Sequence, residues 1–433
     1  MFARIARALW GDLSREEFKR FGMLAVTFLF LIGTYWLMRP LKDGLFIGIV
    51  GKLYLPYAKM LSLFFIIPLL LFYAKLVDWF SRDKLFYILT TVYASLFLAI
   101  AYLLIHPTIG LANATPDKSR ILGWIIYIGV ESFGSLIPGL FWAFVASTTE
   151  SASAKRGFGL IIAGGQIGAI AGPTLATYAE YIGMPILALC VAVGIFVIPF
   201  MIWNFVRVFP LVHTTPLEGK KKNTGPIEGL RLLLSRPYLL GILGISTLYE
   251  VVGTVLDYQM KFVAAETYHS TEKITAFLGL YGQSTNFLAL MLALLGTSFI
   301  IRRFGLTFSL IAFPVAVAAV VCAIWFVPSL WMLFGGMVAL KGISYALNNP
   351  CKEIVYIPTS KDVKFKAKSW IEGFGGRGAK ATGSGINAMF TQMADLMFYG
   401  SIISLGIIGV WILVAYYVGT TNEQHVKDGT IIQ

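Results

Sequence analysis

The chain has 433 residues, 57% of them hydrophobic and 13% charged, and its mean hydropathy is +0.76. Soluble domains carry about a quarter charged residues, so this composition excludes a soluble globular protein and points to an all-α integral membrane protein. The formal net charge of +13 would suit a nucleic-acid binder, but most of the cations sit in short loops between apolar runs, so no nucleic-acid partner is expected.

Residues 1–20 are basic and amphipathic, with Ser14 and Glu17 at capping-box spacing, and are expected to lie on the cytoplasmic membrane surface. The apolar run that follows is too long for a signal-peptide core and lacks a small-residue cleavage site, so it is expected to stay in the mature protein. A spanning helix needs about 20 mostly apolar residues. Such runs fall at 21–40, 55–79, 85–105, 122–147, 157–180, 184–208, 238–262, 274–300, 304–326, 330–350, 370–394 and 397–419. These twelve spans form two pseudo-symmetric six-helix halves, 21–209 and 238–419, joined by a cytoplasmic loop at 210–237 and followed by a tail at 420–433.

With the N-terminus inside, Arg82, Lys84, Lys155, Arg156, Lys220 to Lys222, Arg302, Arg303 and the lysines between Lys352 and Lys368 all fall in the cytoplasm. Chiefly Lys52, Lys118, Arg120 and Lys273 remain outside, so both termini are expected inside, in a bacterial inner membrane. The halves also echo one another. Basic turns close the second span at Asp78 to Lys84 and the eighth at Ile301 to Gly305; glycine pairs sit inside the fifth at Gly164 and the eleventh at Gly375. A parallel six-plus-six repeat is the mark of a major facilitator type transporter, working by alternating access about a central site.

Cys190, Cys322, Cys351 and four histidines are too scattered for a metal site or disulfide framework, and no Ser/His/Asp arrangement is visible. No metal, cofactor or enzymatic activity is expected, and the protein is expected to be monomeric.

Charges inside the spans carry the functional signal, because ionisable side chains at bilayer depth are costly and mark substrate or ion routes. Arg39, Lys42 and Asp43 close the first span, Glu131 lies in the fourth, Glu250 and Asp257 in the seventh, and Lys341 in the tenth. Glu372, Arg377 and Lys380 fall along one rough stripe of the eleventh. Basic side chains near a span end can snorkel, whereas Glu131 is too short to do so. Arginine offers a bidentate fork and lysine a point charge, so a cavity lined by both suits a polyanion such as a phosphate ester. Carboxylates beside them can hold the cations when the site is empty or carry coupling protons. Gly373, Gly375 and Gly378 spell a dinucleotide fingerprint, but no strand precedes them, and they are read as helix-packing residues.

The motifs then resemble a known family. Asn349-Pro-Cys-Lys-Glu-Ile-Val-Tyr-Ile-Pro358, followed by a Lys-rich loop and Gly378-Ala-Lys380-Ala-Thr-Gly-Ser384, is similar to the Pro-x-Lys-Glu-x-x-Tyr-Ile-Pro and Gly-Lys-Ser-Gly-Gly stretch of bacterial and plastidic ATP/ADP translocases. Arg39-Pro-Leu-Lys42-Asp43 resembles that family's Arg-x-x-Lys-Asp, and Phe141-Trp142-Ala-Phe144 with Ala154-Lys-Arg156 resembles its fourth-span motifs. The resemblance implies a twelve-helix carrier that exchanges nucleotides, with Lys42, Glu131 and Lys380 at positions needed for transport. It departs at the seventh span, where Gly253 stands near the place of the family's glutamate, with Glu250 and Asp257 a turn away on either side.

The expected assignment puts Lys42, Lys380, Arg377 and Arg39 on the phosphates of the substrate. Asp43, Glu131, Glu250, Asp257 and Glu372 gate or couple, and Lys352, Glu353, Tyr356 and Pro358 form the family-like motif. Two alternatives stay open: a carrier, proton-driven or exchanging, for another phosphorylated anion, and a non-transporting scaffold.

Overall fold

In hydrocarbon a backbone can hydrogen-bond only to itself, so apolar runs of spanning length must coil. In the computed structural model, which describes residues 14–149, 151–209, 226–295, 298–360 and 367–431, they do so in succession. The long helices are α1 (Arg15–Ile49), α2 (Leu55–Trp79), α3 (Arg82–Ile105), α4 (Ile121–Thr148), α5 (Ser151–Ala176) and α6 (Met184–Val208). After these come α7 (Pro237–Thr267), α8 (Thr271–Leu295), α9 (Ser298–Phe326), α10 (Leu330–Ile343), α11 (Gly376–Ala388) and α12 (Met393–Asp428). Lys220 to Lys222 of the central loop and residues 361–366 lie outside the described residues.

The capping box forms: Ser14 Oγ accepts from the Glu17 amide and the Glu17 carboxylate from the Ser14 amide. The helix that starts there runs unbroken to Ile49, so residues 15–20 form the first turns of α1, and residues 1–13 of the expected amphipathic segment lie outside the described residues.

Among the described residues, eleven helices are long and apolar enough to cross a membrane. The expected span at 370–394 is the exception. It is built as a short turn at Lys368–Trp370, a π-helical turn at Ile371–Gly375 and then α11. Six glycines between 373 and 385, together with Glu372, Arg377 and Lys380, leave it too polar and too loosely specified for a plain apolar helix. The tenth span is also interrupted: α10 passes through a π-helical turn at Ser344–Asn348 into a short helix at Asn349–Ile354. Wide turns of this kind gather at functional sites.

The chain divides into two units. The first is Met1–Lys52, Phe64–Leu217 and Tyr268–Asn286; the second is Leu53–Leu63, Glu218–Thr267 and Phe287–Gln433. Each unit therefore contains the opening turns of one helix whose remainder belongs to the other, α2 in one case and α8 in the other.

In the first unit α5 lies hard against α1. A Cβ on Gly164, Gly168 or Gly172 would run into the carbonyl oxygen of Ala25, Leu29 or Gly33, so this four-residue glycine stripe sets the close approach. Phe28 stacks on Phe141 at 4.6 Å between centroids, and Phe144 meets Phe86 and Phe205 edge-on. In the second unit Trp411 is fully buried against Phe313 and Tyr249. Gly305 adopts φ 84° and breaks α9 at that residue, and the Thr307 amide beyond it donates to Glu423 at 3.2 Å. Of the glycines read as packing residues, Gly375 alone has close neighbours: a Cβ there would come within 2.8 Å of Leu243 and 3.2 Å of Thr247, whereas at Gly373 and Gly378 it would meet open space.

Candidate functional site

In the first unit the site is built around Lys42 on α1. Its side chain is 7% exposed and forms an ion pair with Glu131 of α4, while Asp43 Oδ1 lies 3.4 Å from Nζ. The ammonium also sits 4.1 Å from the ring centroid of Tyr127. An ammonium can stay charged away from water only when such partners replace its hydration. Glu131 is one-third exposed, so one face of the pair is left uncovered by protein. Arg39, one turn earlier, is exposed and lies 4.6 Å over the Trp36 ring.

In the second unit α7 supplies the carboxylates. Glu250, Asp257 and Lys261 recur at seven and four residues, which places them on one helical face. Glu250 Oε2 lies 3.7 Å from Lys380 Nζ on α11, and both are part-exposed. Asp257 Oδ2 accepts from Lys261 at 2.6 Å and lies 3.8 Å from Lys59, near the start of α2. Lys341 of α10 and Lys352 of the short helix after the π-helical turn both approach the buried Tyr249 ring, at 5.4 and 5.8 Å. Lys380, Lys341, Lys352 and Lys59 each attract the Glu250 carboxylate. The set holds five lysines and two carboxylates, a composition that attracts polyanions.

The other expected residues lie apart from this set. Glu372 is exposed and pairs with Lys368 at 3.5 Å, and Glu353 accepts from the same lysine at 2.7 Å. Burial works against the Lys368 charge, but the bond to Glu353 and the two carboxylates outweigh it and raise its pKa. Arg377 is half-buried and makes no ion pair or hydrogen bond among the described residues. Tyr356 and Pro358 are buried, and the turn that holds them is fastened by Tyr238, whose hydroxyl donates to the Val355 carbonyl at 2.7 Å and accepts from Asn422 at 2.8 Å.

Sequence reasoning missed Lys59, Lys261, Lys368 and Tyr249. The i,i+4 spacing of Asp257 and Lys261 was a usable signal. Lys59 had none, because its partner is about two hundred residues away. Among the described residues no group of three or more His, Cys, Asp and Glu is placed to hold a metal ion.

A family described as TLC ATP/ADP transporter matches residues 1–339 and 329–421. The chain is 25% identical to ADP,ATP carrier protein 2, chloroplastic, of Arabidopsis thaliana, over 92% of this chain and 74% of that protein. It is 24% identical to ADP,ATP carrier protein 1 of Rickettsia prowazekii, over 90% of this chain and 89% of that one. Among solved structures it is similar to a bacterial homologue of the iron transporter ferroportin, with TM-score 0.66 and 14% identity over 94% of this chain and 100% of the other. The nucleoside transporter NupG gives 0.60 and 14% over 92% and 98%. At such identities the likeness is one of fold, that of the major facilitator transporters.

Proposed function

Because the chain belongs to the TLC ATP/ADP transporter family, we propose that it exchanges nucleotides, ATP against ADP, across a membrane by alternating access. The observation that carries this reading is the lysine set of the second unit, in which Lys59, Lys261, Lys341, Lys352 and Lys380 outnumber the carboxylates of Glu250 and Asp257. A phosphate chain supplies the anionic charge that such a set lacks. Lys42 and Lys380 bind phosphate oxygens; Glu131 and Glu250 hold them until the substrate arrives. Arg377 adds a guanidinium fork. Arg39 and Asp43 position Lys42, Asp257 orders Lys261 and Lys59, and Glu372 acts through Lys368.

Gly253, standing near the place of the family's seventh-span glutamate, favours a second reading in which the exchanged pair is another phosphorylated anion. The distribution of basic loops supports a bacterial inner membrane with both termini in the cytoplasm. The test is uptake of labelled ATP, ADP, other nucleotides and sugar phosphates by cells expressing the protein. Preferential ATP and ADP uptake supports the first reading, and preference for a different anion the second.

A further inference from the structure

We infer that Lys352, seated on the ring of Tyr249 beside Lys380, is a further ligand for the phosphate chain of a nucleoside di- or triphosphate, and that Tyr249 is its positioning residue. The identity of the substrate rests on the exchange reading above. The geometry of the subsite does not.

The sequence neighbour of Lys352, Glu353, is turned toward Lys368, which takes both carboxylate oxygens at 2.8 and 2.7 Å. Lys352 itself forms no ion pair among the described residues. It reaches the Ser246 carbonyl only at 3.5 Å and otherwise faces the Tyr249 ring at 5.8 Å. A ring face and one long hydrogen bond steer an ammonium without neutralising it.

The backbone that carries Lys352 is held firmly. Pro350 lies in the first turn of its short helix, and the Val355 carbonyl at the far end is held by Tyr238, itself held by Asn422. Tyr249 is locked in turn by Phe313 at 5.2 Å and Trp411 at 6.0 Å. A fixed cation on a locked aromatic platform, with its adjacent carboxylate engaged elsewhere, is built to receive an anion. Lys341 shares the ring and Lys380 stands beside Glu250, so the subsite presents several ammonium groups. A single phosphate brings at most about two negative charges to these ammonium groups, whereas a chain of two or three phosphates brings more and spans a longer distance. The subsite therefore discriminates di- and triphosphates from monophosphates.

The experiment uses the full-length protein in nanodiscs and measures binding of ADP, AMP and inorganic pyrophosphate by equilibrium dialysis. K352Q is expected to weaken ADP and pyrophosphate by roughly tenfold or more and AMP by far less, so that the ADP to AMP affinity ratio collapses. K352R and Y249F are expected to keep that ratio, while Y249L is expected to lose it as K352Q does. An unchanged ratio in K352Q overturns the inference. A wild type that binds pyrophosphate through Lys352 but no nucleotide overturns only the exchange reading; one that binds neither overturns both. Should K352Q fail to fold, acylation of Lys352 in the wild type decides. Pyrophosphate must slow it, and equal acylation with and without pyrophosphate sinks the proposal.

Discussion

Lys380 on α11 meets Glu250 on α7 at 3.7 Å, one helical turn before Gly253, which stands near the place where the family resemblance calls for a glutamate. Side-chain exposures of 44% and 27% make the pair open to water and therefore weak, so a phosphate can displace it at little cost.

Exchanging the charge on either partner has opposite expected effects. Lys380→Gln should weaken nucleotide binding on the order of tenfold to a hundredfold, since a charged contact to phosphate is lost. Glu250→Gln should leave binding equal or tighter, because a competing anion is removed. Calorimetric titration of both variants checks this, and parallel losses would show that Glu250 is itself part of the ligand shell.

Lys42 differs because it is buried. Removing its charge leaves Asp43 and Glu131 facing each other without that cation, which typically costs about 3 kcal/mol or more. Lys42→Gln should therefore lower the thermal midpoint of the purified protein as well as abolish uptake. Lys42→Gln combined with Glu131→Gln should recover stability but not uptake. A single variant as stable as the wild type would remove the ion pair as a structural element.

Helix packing gives a prediction independent of transport. Gly168→Val places a branched side chain against the Leu29 carbonyl and should prevent accumulation of folded protein in the membrane. Gly378→Ala, where nothing lies within 4 Å, should accumulate normally. Comparable yields from the two would contradict the close approach of α1 and α5.

Orientation follows from the loops. After replacement of Cys190, Cys322 and Cys351, single cysteines at Lys118 and at Lys221 should label from opposite sides, Lys118 from outside. Labelling of both from one side would remove the twelve-span orientation.

The amino-acid sequence made the apolar helices legible because a spanning run must be long and apolar whatever packs against it. It made Glu131 and Glu250 legible as costly charges at depth, but not which cation each would meet, since Lys42 and Glu131 are 89 residues apart. Lys59 carries no spacing signal toward its partner, and only folding brings it to Asp257. Likewise, with 20 tyrosines in the chain, no periodicity could single out Tyr249 as the ring approached by two lysines. The eleventh span was read as a continuous helix because helical spacing does not distinguish an α turn from the wider π turn at Ile371–Gly375.

The central claim is exchange. An empty set of lysines is costly to desolvate, so a carrier that uses it should reorient readily only when a polyanion is bound. The direct measurement is efflux of labelled ADP from preloaded proteoliposomes with no pH gradient. The account predicts efflux that starts when ATP or ADP is added outside and stays near zero otherwise. Efflux at the same rate without external nucleotide, or transport that collapses when a proton gradient is dissipated, would contradict it.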